Sequence, residues 1–150
     1  MELKKKAGEA VIQLHRAGED YLKIILLLHK RNGEVREIDI ANEMGYTRPS
    51  VCCMMKKLSR LGYVEVNGNN VCLTAAGLKL ANEIYERHCV VRDFLTGCLA
   101  VAPSTAEKDA CRMEHILSCE TFEALKAALE KKGGAQAGGV FVGSAVDKGL

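Results

Sequence analysis

Apolar positions recur at helical spacing along most of the chain and alternate over one short stretch. From Ala17 to Lys30, Tyr21, Leu22, Ile24, Ile25, Leu26, Leu27 and Leu28 form a rich apolar face between Gly18 and the turn signal Asn32-Gly33, which predicts a core helix. Residues 1–16 are polar and basic, and are expected to fray or to extend that helix. Arg36 to Met44 places Ile38, Ile40, Ala41 and Met44 on one side and stops at Gly45, the pattern of a short helix with a glycine C-cap. In the next helix Thr47 offers a hydroxyl cap and Pro49 sits near the first turn, where its missing donor does no harm. Val51, Met54, Met55, Leu58 and Leu61 then carry the apolar spacing to Gly62.

Tyr63-Val64-Glu65-Val66 alternates as a half-buried strand, Asn67-Gly68-Asn69-Asn70 tolerates positive φ, and Val71-Cys72-Leu73-Thr74 returns, so a hairpin is expected. Helix, short helix, turn, third helix and hairpin in that order predict a winged helix-turn-helix. A long helical pattern follows from Ala75 through Phe94 to about Leu99 and breaks at Val101-Ala102-Pro103-Ser104. Ser104 with Glu107 resembles a capping box opening a helix to about Cys119, and Thr121 to Lys132 predicts one more helix. Gly133 to Leu150 holds six glycines and little periodicity, and is expected to be mobile. The expected fold is mainly α, with a winged helix-turn-helix over 1–74, a helical segment over 75–132 and a Gly-rich tail over 133–150.

Composition narrows the class. A chain of 150 residues has room for a genuine core but not for a large enzyme with its own substrate domain. No run of eighteen apolar residues and no secretory leader pattern occurs, so a cytoplasmic protein without membrane contact is expected. The seven cysteines are odd in number, show no repeated spacing and fall partly at apolar helical positions, which reads as reduced thiols. Cys52-Cys53 are neighbours whose side chains point about 100° apart on a helix, a poor geometry for a disulfide switch.

The net charge of +2 decides nothing, but its distribution does. Between Thr47 and Gly62 stand Arg48, Lys56, Lys57 and Arg60 and no acidic residue. A solvated helix face accounts equally well for such charges taken alone. Their place on the third helix, directly before a hairpin, favours insertion into the major groove of double-stranded DNA. Thr47, Arg48, Pro49, Ser50 and Cys53 are then the groove-facing candidates, with Lys56, Lys57 and wing residue Asn69 as backbone contacts.

Cys111-Arg112-Met113-Glu114-His115 carries the other chemistry. Positions i, i+3 and i+4 of a helix share a face, so a thiolate, a carboxylate and an imidazole converge. Such a set suits a borderline divalent cation, the sulfur favouring iron, zinc, cobalt or nickel over magnesium or calcium. The alternative is a buried cysteine beside two surface polar residues.

Gly18-Glu19-Asp20-Tyr21-Leu22, Pro49-Ser50-Val51, Leu73-Thr74-Ala75-Ala76-Gly77, Arg87-His88 and Ala110-Cys111-Arg112-Met113-Glu114-His115 together resemble the diphtheria toxin repressor and manganese transport regulator family, in unbroken order over about residues 17–132. The resemblance implies a homodimeric, metal-activated repressor with an all-helical dimerisation domain over 75–132. It implies Asp20, Cys111, Glu114 and His115 as metal ligands, with His88 as a further one. Bridging the two domains, the cation would fix the spacing of two recognition helices on a palindromic operator. The thiolate favours Fe²⁺ over Mn²⁺, although Zn²⁺, Co²⁺ or Ni²⁺ would also bind in vitro. Two departures argue against a second cation. Lys23 stands where the manganese regulators carry a carboxylate, and Arg92 and Glu107 stand where the iron-type repressors build an ancillary site.

Rival readings are a winged-helix regulator that senses a small molecule or oxidant through its cysteines, a structural zinc module, and a metalloenzyme. The last lacks a general base beyond the ligands, a phosphate loop and a nucleophile motif.

Overall fold

The computed structural model describes residues 14–135, so the expectations for residues 1–13 and for the tail beyond 135 lie outside the described residues. The elements are α1 (His15–Asn32), α2 (Glu37–Met44), α3 (Arg48–Arg60), β1 (Val64–Asn67), β2 (Asn70–Leu73), α4 (Ala75–Gly97), α5 (Pro103–Met113) and α6 (Cys119–Ala135). Among the described residues no helix is long and apolar enough to cross a membrane. The mainly α fold with one small hairpin agrees with the sequence pattern. The described residues divide into two compact units, 14–88 and 89–135, with the boundary inside α4.

In the first unit Leu22, Ile25, Leu26 and Leu28 of α1 pack with Ile40 of α2, Val51, Met55 and Leu58 of α3, and Val64 and Val71 of the hairpin. Burying a side chain of this size stabilises by about 1.5–3 kcal/mol, so this cluster dominates the stability of the unit. Gly45 ends α2 at φ +67, a conformation that glycine adopts without steric cost. The hairpin is antiparallel, with Val64 opposite Leu73 and Val66 opposite Val71, and it turns through Gly68 at φ +64. The returning strand also pairs with the α1–α2 linker. Val71 N–H donates to Val35 O at 2.8 Å, Glu37 N–H donates to Asn69 O at 3.2 Å, and Arg36 bridges to Asn70.

Thr74 fastens α4 to the end of α3. Its backbone N–H donates to Tyr63 O at 3.0 Å, and its hydroxyl donates to Gly62 O at 2.6 Å while accepting from Gly77 N–H at 3.1 Å. A Cβ on Gly77 would stand 1.9 Å from the same Tyr63 oxygen. The Leu73–Gly77 motif is therefore a steric and hydrogen-bonded clasp.

The second unit has a smaller apolar cluster of Val90, Phe122 and Leu129, flanked by Phe94, Cys98 and Leu125. Its helix limits differ from the sequence expectation. α5 starts at Pro103, not after a Ser104 cap, because proline's fixed φ suits a first helical position. α5 stops at Met113, short of Cys119. Ser118 then accepts a hydrogen bond from Thr121 N–H at 3.1 Å, which starts α6 two residues before the expected Thr121. α6 continues through Gly133 and Gly134 to Ala135. Ala100, between α4 and α5, adopts φ +54, a left-handed conformation that costs a non-glycine residue about 1 kcal/mol.

Gly77→Ala tests the clasp. The substitution normally stabilises a helix, yet here overpacking against a backbone carbonyl should lower stability by about 1–3 kcal/mol. Urea unfolding should show the midpoint falling at unchanged slope; an unchanged or raised midpoint contradicts the close approach.

Candidate metal centre and nucleic-acid interface

Each unit carries part of the predicted ligand set. In the first, α1 presents Asp20 half-buried, one residue before the core residue Tyr21. Three residues further, Lys23 is itself buried at 6% exposure, unusual for an ammonium group. His88 is 4% exposed on α4, its ring parallel to that of Tyr85 with centroids 6.5 Å apart. Lys30 Nζ lies 5.0 Å over the Tyr85 ring.

In the second unit Glu114 is 2% exposed and its Oε1 lies 3.1 Å from His115 Nε2. A carboxylate is buried at such cost only when donors or a cation meet it. Both residues lie past the end of α5, in the turn after Met113, so the turn and not helical spacing sets their directions. Cys111, in the last turn of α5, has its sulfur within 4.8 Å of a carboxylate oxygen of Glu107. Glu107, taken from the sequence as half of a capping box, thus joins the candidate ligands; its signal was its place one turn before the cysteine. Beside it, Arg92 Nε lies 3.0 Å from Asp93 Oδ1. Burial opposes the Arg92 charge, but the hydrogen bond to Asp93, with Asp93, Cys89 and Glu107 nearby, outweighs it and holds the guanidinium pKa above its ordinary value.

The interface candidates belong to the first unit. Val51, Met55 and Leu58 face the core, which turns the opposite side of α3 outward. Thr47, Arg48, Pro49, Ser50, Cys53, Lys56 and Lys57 are all exposed, as is Asn69 at the hairpin tip. Thr47 is the N-cap of α3, its hydroxyl accepting from Ser50 N–H at 3.4 Å and lying 2.9 Å from Ser50 Oγ. Just before it, the exposed Tyr46 ring packs on buried Tyr21, centroids 6.0 Å apart. Burial raises the Tyr21 phenol pKa, with smaller contributions from Tyr46 and Cys53. None of the seven cysteines is joined in a disulfide.

Comparison with known proteins follows this division. The iron dependent repressor N-terminal DNA binding domain matches residues 13–70, and the iron dependent repressor metal binding and dimerisation domain matches residues 74–133. The transcriptional regulator MntR of Escherichia coli O6:H1 is 40% identical over 116 residues, covering 77% of this chain and 74% of that protein. An uncharacterised HTH-type transcriptional regulator of Methanocaldococcus jannaschii is 36% identical over 115 residues, 75% of this chain and 92% of that one. Among solved structures, the manganese regulator SloR superposes with a TM-score of 0.67 at 32% identity, over 75% of this chain and 53% of that one. The IdeR of T. acidophilum gives the same TM-score at 27% identity, over 77% of this chain and 53% of that one. The chain thus spans about half the length of these solved structures. The sequence relatives are transcriptional regulators and not enzymes.

The cap of α3 is separable from the metal ligands. Thr47→Ala should cost about 0.5–1 kcal/mol, the lower part of the usual range because the Ser50 N–H contact is long. Thermal unfolding with a parallel metal assay checks this, metal content being expected to stay constant.

Proposed function

Since the chain belongs to the diphtheria toxin repressor and manganese transport regulator family of metal-dependent transcriptional repressors, we propose that it acts in the cytoplasm as a homodimer. It binds a palindromic operator in double-stranded DNA when a divalent cation, Fe²⁺ before Mn²⁺, is held by Asp20, Cys111, Glu114 and His115, with His88 as a further ligand. The observation that carries the reading is the buried Glu114 carboxylate beside His115, within the segment that matches a metal-binding domain. A carboxylate, an imidazole and a thiol are donors that fit a borderline cation, and the sulfur favours iron. The similarity to the manganese regulator SloR keeps Mn²⁺ as the second choice.

Bound cation supplies charge neutralisation and a fixed coordination geometry. Asp20, on the helix that underlies α3, communicates the position of the ligands to the reading face, and Glu114 and His115 anchor the other side. A cation that favours one arrangement of the domains shifts the population toward it only by its differential affinity. The exposed apolar side chains Leu99 and Ile116 and the small cluster of the second unit support pairing of that unit with a second copy. Lys23 and Arg92, basic residues where a second site would need acidic ones, support one cation per subunit. Metal-uptake genes are the targets this reading implies.

Glu114→Ala should abolish metal-dependent operator binding in gel-shift titrations while leaving the far-UV spectrum and unfolding midpoint near wild type. A retained metal response refutes the ligand assignment. With Co²⁺ as a spectroscopic probe, a thiolate-to-metal band should appear at one equivalent per subunit and vanish in Cys111→Ser; two equivalents would contradict the single-cation reading.

A further inference from the structure

Helical positions advance by about 100° per residue, so Lys56 and Arg60, four residues apart, stand one above the other on α3. They lie away from the face buried through Val51, Met55 and Leu58. Both line a cleft of about 400 Å³ between α3 and the hairpin, whose walls include Ser59, Val66, Gly68 and, from the first turn of α2, Glu37. Both cations are exposed, and neither has an ion-pair partner among the described residues. Two cations against one carboxylate leave the wall net positive, and the Ser59 hydroxyl adds a neutral donor. A water occupies roughly 30 Å³ in the liquid, so the cleft has room for a phosphate group together with its hydration. Arg60 is seven residues, about two turns, beyond Cys53 and shares its outward direction. An anion in the cleft therefore sits at the margin of whatever α3 reads.

We infer that the cleft between α3 and the hairpin is a phosphate seat in which Lys56 and Arg60 together grip one backbone phosphate of duplex DNA. The inference rests on the DNA-binding reading above and deepens it. Arg60 becomes a contact residue, and Lys56 and Arg60 share one anion instead of neutralising separate ones. Lys57, which does not line the cleft, is not part of the seat.

The salt dependence of binding counts neutralised phosphates, each contributing about 0.9 to the slope of log affinity against log salt. The full chain and its variants Lys56→Gln, Arg60→Gln and the double variant are titrated, without metal, against a random-sequence duplex at several salt concentrations. A shared phosphate predicts that the double variant loses about 0.9 from the slope for each DNA-bound subunit, one contact's worth. An unchanged slope overturns the seat, and so does a loss of about 1.8 for each bound subunit, which means separate contacts. In a second arm, inorganic phosphate is titrated into labelled protein without DNA. Cleft resonances that shift in wild type and not in the double variant, together with an unchanged DNA slope, identify a free phosphate as the occupant and overturn the backbone assignment. A metal-responsive gel shift of wild type on a duplex selected from a random pool tests the repressor reading separately. Its failure would overturn that reading while the slope comparison still decides the seat.

Discussion

The first turn of α4 lies against the Tyr63 carbonyl at a separation that only a residue without a side chain can occupy. That contact, closed by the two-way hydrogen bonding of Thr74, joins the end of α3, the returning strand and the start of α4 into one rigid piece. The remainder of the first unit is built on it. The direction in which α4 leaves the hairpin is set there, and His88 follows eleven residues, about three turns, along the same helix. A change at the clasp is consequently felt both where α3 presents its outward face and where the histidine is buried.

Charge is placed against ordinary expectation at a few points, one of them the ligand candidate Glu114. Lys23 and Glu114 are buried, whereas lysine and glutamate normally remain in water. Desolvating an ion is costly unless a partner meets it, so such residues persist for what they hold in place rather than for stability. Arg92, tied to Asp93 with Glu107 and Cys89 nearby, brings a permanent positive charge to the acid-lined part of the second unit. The chain thus carries basic side chains close in sequence to residues suited to an exchangeable cation.

Much of this was legible in the sequence because the physics is local. Apolar spacing gave the cores of α1 to α4, Gly45 and Gly68 marked backbone turns that require positive φ, and Thr47 announced the start of α3. The limits of α5 were not legible. Ser104 and Glu107 satisfy the rule for a capping box, but Pro103 already begins the helix, and Ser118 opens the next one earlier than the apolar pattern suggests. The candidate ligands were recognisable as residue types at helical spacing, yet Glu114 and His115 occupy a turn, which periodicity cannot reveal. Burial of Lys23 was equally hidden, since pattern analysis sends every lysine to the surface. Arg60 was visible as a charge, but the hairpin across the cleft from it comes into view only in three dimensions.

The hairpin is stitched along its inner strand to Val35, Arg36 and Glu37 and so is not a free flap. Swinging it would break those bonds, so its tip stands at a set distance from α3 and behaves as a calliper. On the DNA-binding reading proposed above, a duplex spanning both would have to adjust its own groove width to that distance. Base steps that deform cheaply would then be favoured even where no side chain touches them, and part of the discrimination between DNA sequences would reside in their stiffness.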